Sequence, residues 1–180
     1  MLVLASGRGE RFLASGGATH KLRALLAGKP VLEYVLDAVR ASGLPWHLED
    51  AGHPGMGDSI AAAVRATQDA NGWLILPGDL PLIQGATLNL LANSLAGSAT
   101  GTVQPYDVVI PVCKGKRGHP VGFSAACRDA LLSLTGAEGA AAVIRARTSL
   151  EISVIDEGTV TDIDTVQDLQ QAQALLSVRR

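Results

Sequence analysis

Apolar residues fall along this chain in two alternating rhythms. Leu2 to Leu4 is a short, continuously apolar run, and so is Trp73 to Leu76 within "GWLILPGDLPLI". Uninterrupted runs of this length, bounded by turn residues, read as strands buried on both faces of a parallel sheet. Between and after them the period becomes that of a helix. Val31, Leu32, Val35, Leu36 and Val39 share one helical face, with Pro30 at the entry and Gly43 beyond the exit. "DSIAAAVRAT" predicts a second helix over about Ser59 to Thr67, with Asp58 or Ser59 as its cap. "ATLNLLANSLA" predicts another helix and "DVVIPV" a strand, while "GFSAACRDALLSL" reads as an extended piece passing into a helix. "AAAVIRAR" supplies a helical turn or two, "EISVIDE" a strand, and "TVQDLQQAQALLSV" a terminal helix.

Strands alternating with helices imply a mainly parallel sheet covered on both faces, a three-layer, Rossmann-like α/β arrangement. One beat of the rhythm is short. "GLPWHLEDAGHPGMG" has room for a single strand near Pro45 to Glu49, whereas a strand-helix-strand crossover takes roughly 30 residues. One strand-helix unit is therefore expected to be shortened or missing. No repeat, low-complexity tract or linker divides the 180 residues, so one domain over 1–180 is expected.

Composition narrows the function. A hydrophobic content of 47% excludes a disordered chain. Aromatics at 3% leave no platform for stacking bases of single-stranded nucleic acid, and a net charge of -2 argues against gripping nucleic acid by counterion release. Cys113 and Cys127 are not spaced as a metal pair and read as small buried apolar residues. Nothing resembles a secretory signal or a spanning helix, so the expected setting is the cytoplasm, with no membrane partner.

Against that mild overall charge, "LASGRGERFLASGGATHK" is locally cationic, with Arg8, Arg11 and Lys21 around Gly7 and Gly9 directly after a strand. Glycines there let backbone N–H groups approach a phosphate, and the cations neutralise it. The plain alternative is a solvated surface loop. In "LPGDLPLI", Asp79 stands at the end of a buried strand, where open α/β sheets bind ligands; it suits magnesium or, equally, a turn or helix cap. In "TVTDIDTVQDLQQA", Asp164 with Thr165 looks like a helix N-cap, which leaves Asp162 as the carboxylate without a local purpose. "GHPGMGDS" and "GKRGHPVGF" are glycine-rich turns. Their His53 and His119 are read as structural, and His20 as an exposed loop residue beside Lys21.

Taken in order, "LASGRGERF" with Lys21, "GMGDSIAAAV", "LPGDLPLI", "RGHPVGF" and "VTDIDTVQDL" resemble the MobA-like nucleotidyltransferases of molybdenum cofactor maturation, with "RGHP" and "DIDT" closer to the cytidylyltransferase branch. That resemblance implies a Rossmann-like nucleotidyltransferase fold and transfer of CMP from CTP to the molybdopterin cofactor with release of pyrophosphate. It implies that Leu4, Ala5, Ser6, Gly7, Gly9 and Arg11 cradle the triphosphate, that Arg11 and Lys21 bind its phosphates, and that Lys21, Arg11 and Asp79 are the catalytic set. Asp79 and Asp162 would hold Mg2+, Gly57 and Ser59 would face the nucleoside, and Arg117, Gly118, His119 and Pro120 would lie on the acceptor side. A client molybdoenzyme is the implied protein partner. Another phosphorylated acceptor such as a sugar phosphate, use of GTP, and a non-catalytic nucleotide-binding module are the alternatives. The chain departs from the family pattern in the inserted "LASGGATH" before Lys21 and in "GAEGAA", where Ala137 and Ala141 replace an acid and a base. With the second strand region short, the nucleoside side is expected to be more open than the phosphate side.

Overall fold

Strand β1 (Leu2–Leu4) is buried at all three positions and lies between two parallel neighbours, β4 (His47–Glu49) and β5 (Gly72–Pro77). This is the environment that an unbroken apolar tripeptide needs. The structure, a computed structural model, describes residues 1–99 and 106–178. Successive β1 side chains point to opposite faces, and the two faces have different cores. Leu2 and Leu4 pack with Trp73, Ile75 and Phe123 beneath α3 (Met56–Ala66), through Ile60 and Val64. Val3 and Leu76 pack on the other side, against Val35, Leu36 and Val39 of α2 (Val31–Ser42) and Leu88 of α4 (Gly85–Ala99). Helices thus cover both faces, as the alternating pattern requires.

The sheet continues in the order β4-β1-β5-β8-β6-β7, with β9 (Ser149–Ser153) parallel to β6 (Val108–Cys113). β8 (Val121–Ser124) runs antiparallel between β5 and β6. The short β7 (Lys116–Arg117) folds back on β6 through Lys114 and Gly115, both at positive φ, as a two-residue hairpin turn demands. Helices α5 (Arg128–Leu132), α6 (Ala141–Ala146) and α7 (Val166–Val178) complete the cover, with α1 (Glu10–Ala14) and the small ribbon β2 (Leu25–Leu26) and β3 (Lys29–Pro30) near the first loop. Among the described residues β4 is an edge strand, and the chain passes from it through residues 50–55 straight into α3. This is the shortened unit. Both cysteines are buried and free, as expected.

The start of α3 corrects the sequence reading. Neither Asp58 nor Ser59 caps it; Gly55 does, in extended conformation and without a side-chain hydrogen bond. Close backbone packing decides this: a Cβ on Gly55 would sit 2.2 Å from the Gly136 oxygen, and one on Gly57 2.8 Å from the Thr135 backbone. Asp58 instead accepts the Gly136 N–H at 3.0 Å across this contact.

Beyond β9 the chain is fastened by Asp156, only 3% exposed, whose carboxylate accepts from Gln84 N at 2.9 Å, Thr87 Oγ1 at 2.9 Å and Gly158 N at 3.0 Å. It therefore joins the start of α4 to the segment that leads to Asp162. Asp156→Ala strands two buried donors, Thr87 Oγ1 and Gly158 N, and the part-buried Gln84 N, so it is expected to cost about 3 kcal/mol or more. Urea unfolding at an unchanged m-value measures that cost; a loss below about 1 kcal/mol would mean that water satisfies these groups.

Candidate active site

The carboxyl ends of β1 and β5 open side by side, and the loops that leave them form the floor of a cleft. Gly78 N–H donates to the Leu4 carbonyl at 2.8 Å, and Ala5 N–H to the Glu49 carbonyl at 2.8 Å, so the backbones of three strand ends are tied together. Residue 78 must be small, because a Cβ there would lie 3.0 Å from the Leu4 oxygen. Above this floor is a cavity of about 490 Å³ lined by Ser6, Gly7, Gly9, Arg11, Lys21, His53, Ser59, Asp79 and Asp164. That volume falls within the range of small-ligand sites.

Lys21 is the centre of the site. Its Nζ donates to Asp79 Oδ2 at 2.6 Å and to Asp164 Oδ1 at 2.7 Å, and its side chain is 13% exposed. Burial works against the ammonium charge, but the two carboxylates overcome it and raise the Lys21 pKa above its ordinary value. Asp164 is held below the usual carboxylate range by its bond from Lys21, against burial and with help from Arg11, whose guanidinium donates to Asp164 Oδ2 at 2.6 Å. The other oxygen of Asp79, Oδ1, is buried and has no hydrogen-bond partner.

Asp164 is where the sequence reading needs correcting. The residue that caps α7 is Thr165: its Oγ1 accepts from Asp168 N at 3.2 Å, while Asp168 Oδ2 accepts from Thr165 N at 2.7 Å. This reciprocal capping leaves the Asp164 carboxylate free to face Lys21. The Thr-x-x-Asp spacing was visible in "TVQD" and was the signal that would have separated the two residues. Ile163 N–H donates to the Asp79 carbonyl at 2.9 Å and so brings the whole segment beside Asp79. Asp162 points into a second cavity of about 600 Å³, shared with Arg117, Gly118, His119, Lys116 and Asp79. Partial desolvation, and then repulsion from Asp79 and Asp164, raises the Asp162 pKa.

The remaining predicted residues divide between the cavities and the packing around them. Ser59 Oγ donates to Ser6 Oγ at 3.1 Å across the first cavity, and Ser6 Oγ to the Glu49 carbonyl at 3.2 Å. Gly57 does not line it; the residue serves the contact of α3 with Thr135. Leu4 reaches the cavity, while Ala5 contributes through its backbone bond. Arg117 is engaged with Glu151 at 2.6 Å, and Gly118 is glycine because a Cβ would meet the Thr159 oxygen at 2.4 Å. His119 stands exposed at the second cavity, whereas Pro120 is buried behind it.

Two groups escaped the sequence reading. Glu49, 8% exposed at the end of β4, accepts from His53 Nε2 at 3.0 Å and from Ala51 N at 3.3 Å, which places His53 on the cavity wall. Burial would raise the Glu49 pKa, but the bonds from His53 and Ala51, with the His47 ring 3.6 Å away, outweigh it and lower it. The second is His20, whose ring meets Gly7 and Leu22. Neither follows a local spacing rule, because each contact closes through loop geometry.

Hard oxygen donors of this kind fit a divalent cation such as magnesium or manganese. Among the described residues no group of three or more His, Cys, Asp or Glu side chains converges as a metal cage. This fits the way magnesium is usually bound, by one or two carboxylates with the remaining positions left to substrate phosphates and water. The unpartnered Asp79 Oδ1 is the oxygen whose buried position calls for a cation.

The model of the MobA-like NTP transferase domain matches residues 38–152. The bifunctional protein GlmU of Coxiella burnetii is 30% identical over 125 residues, which cover 57% of this chain and 27% of that protein. The chain thus spans about a quarter of the length of this relative. Among solved structures, a nucleotidyl transferase from Methanothermobacter is similar with a TM-score of 0.78 at 17% identity, covering 99% of this chain and 97% of that one. The molybdopterin-guanine dinucleotide biosynthesis protein A of Archaeoglobus fulgidus gives 0.68 at 19% identity, covering 98% and 97%. Mycobacterium tuberculosis Rv0371C in complex with manganese gives 0.69 at 20% identity, covering 96% of both chains. At these identities the likeness is one of fold. Among the described residues no helix is long and apolar enough to cross a membrane.

Proposed function

The chain belongs to the MobA-like NTP transferase family, and from that premise we propose that it transfers CMP from CTP to a molybdopterin-type phosphorylated acceptor with release of pyrophosphate. The observation that carries the reading is Lys21 held between Asp79 and Asp164 beside the glycine loop. Nucleotidyl transfer needs little covalent chemistry from a protein; it needs phosphates positioned and their charge neutralised. The backbone around Gly7 and Gly9 takes the triphosphate, and Arg11 and Lys21 neutralise it. Asp79 and Asp164 hold a divalent cation, magnesium by preference, which supplies charge stabilisation at the phosphates when bound. The fold neighbour in complex with manganese supports that class of ion.

The second cavity takes the acceptor. Lys116 and Arg117 line it next to Asp79, so a phosphorylated acceptor entering there meets positive charge within reach of the transferred phosphate, with His119, whose pKa desolvation lowers, as an uncharged neighbour. "RGHP" and "DIDT" favour CTP, and the neighbour from Archaeoglobus supports a molybdopterin acceptor.

The test is to incubate the protein and magnesium with each nucleoside triphosphate and molybdopterin, and to measure released pyrophosphate. Release with CTP and molybdopterin is the expected result. Release only when a sugar phosphate replaces molybdopterin would redirect the acceptor assignment, and binding of CTP with no pyrophosphate released with either acceptor would leave a nucleotide-binding module. Because β4 is the sheet edge and the wall beyond it is made by residues 53–56 and Ala137 with no further strand-helix unit, CTP and GTP affinities are expected to differ far less than the about 10⁴-fold that a site built on base hydrogen bonds reaches. A strong preference for CTP alone would show that His53, Ser59 and their loop frame the base without the missing unit.

A further inference from the structure

The two halves of the phosphate-facing machinery lie at opposite ends of a long connection. The glycine loop precedes α1, and Lys21 arrives only after the chain has run through residues 10–20, most of them exposed. One side chain joins the two ends. His20 Nδ1 accepts the Leu22 N–H at 3.3 Å and so caps the short 3₁₀ turn Lys21–Arg23. A ring nitrogen that accepts there carries no proton, which leaves the proton on Nε2. Nε2 therefore donates to the Gly7 carbonyl, at 2.6 Å. The ring edge also rests on Gly9: a Cβ at that position would lie 3.2 Å from His20 Cδ2, and the Gly9 φ of +66° already favours glycine.

We propose that His20 is a positioning residue for triphosphate binding, bolting the glycine loop to the turn that carries Lys21. The proposal rests on the nucleotidyltransferase reading of the cleft. Glycine gives a loop close approach to phosphate but also the largest conformational freedom to lose, and a loop ordered only when its ligand arrives charges that ordering against affinity. His20 sets the loop and the Lys21 turn in one arrangement beforehand. Since its partner is a backbone carbonyl of the loop, the effect falls on binding of the phosphates, regardless of the base.

The experiment measures binding of magnesium CTP and of magnesium tripolyphosphate by calorimetry to the full chain and to His20→Ala, His20→Asn and His20→Gln. The Gln amide nitrogen reaches as far as Nε2 and keeps the donor to Gly7; the Asn amide stops near Nδ1 and loses it. His20→Ala and His20→Asn are expected to weaken both ligands by about tenfold, the worth of one hydrogen bond in a site of this kind, while His20→Gln stays within about threefold of the parent. Turnover at saturating CTP is expected to change by less than about threefold, so the effect reads as KM and not kcat. Unchanged binding in His20→Ala overturns the proposal, and so does His20→Gln binding as weakly as His20→Ala at the parent's Tm. Should His20→Ala fail to fold, the Gln and Asn variants make the same comparison. Cleavage by trypsin after Arg8 in the ligand-free protein adds a readout that needs no nucleotide: faster cleavage is expected in the Ala and Asn variants only, and equal rates in all four proteins overturn the proposal. If the parent binds neither ligand, the nucleotidyltransferase reading fails, and the trypsin rates alone decide whether His20 holds the loop.

Discussion

Lys21→Ala is expected to lower turnover at saturating nucleotide by about 10²-fold or more, because it removes a preorganised cation from charge that grows in the transition state. The same substitution is expected to strengthen binding of manganese to the nucleotide-free protein. In that protein the ammonium already occupies the place between Asp79 and Asp164, with one hydrogen bond to each. A divalent ion arriving alone must displace it and meets its repulsion, whereas an ion arriving with a triphosphate gives Lys21 new anionic partners. Removing Lys21 leaves two carboxylates without their shared counterion, a state that a metal relieves. Opposite signs for turnover and metal affinity are the signature, read by steady-state rates and by manganese titration in an electron paramagnetic resonance assay. Unchanged turnover would remove Lys21 from the mechanism, and weaker manganese binding would show that the carboxylates do not form one cation site.

What the chain revealed about itself depended on whether a feature was local. The apolar runs Leu2–Leu4 and Trp73–Leu76 were legible as buried strands, since two-sided burial leaves no polar alternation. Pro30 and Gly43 bracketed α2 correctly because both act through their own backbone angles. The beginning of α3 was misread. Asp58 and Ser59 have the chemistry of caps, but the space is set by Gly136, 78 residues from Asp58 along the chain. The antiparallel course of β8 was likewise invisible, because a four-residue extended piece does not say which neighbour it pairs with or in which direction. In the site, period-2 spacing put Asp162 and Asp164 on one extended segment without saying which of them meets Lys21. Only the Thr165–Asp168 capping pair decides that, by relieving Asp164 of the task. Glu49 with His53, and His20 with Gly7, are contacts made within single connections folding back on themselves, and no helix or strand periodicity records them.

The three carboxylates can be ranked by substitution, and the ranking sets the sequence expectation against the geometry. Asp79→Asn keeps shape and removes charge at the end of β5, where Oδ1 is buried without a partner and Oδ2 accepts from Lys21. Metal-dependent transfer is expected to fall by about 10²-fold or more, since charge stabilisation by a bound ion is worth several kcal/mol and each factor of ten is about 1.4 kcal/mol. Asp164→Asn is expected to act almost as strongly, because it removes the second charge of the same pair and the partner of Arg11. Asp162→Asn is expected to spare manganese binding in the presence of tripolyphosphate and to alter the acceptor step, since this carboxylate lines the second cavity and makes no bond to Lys21 among the described residues. Manganese titration of the three variants, followed by turnover at saturating CTP and varied acceptor, separates these roles. Loss of metal binding in Asp162→Asn with none in Asp164→Asn would restore Asp162 as the partner of Asp79, and would mean that the Lys21–Asp164 ion pair serves the fold and not the ion.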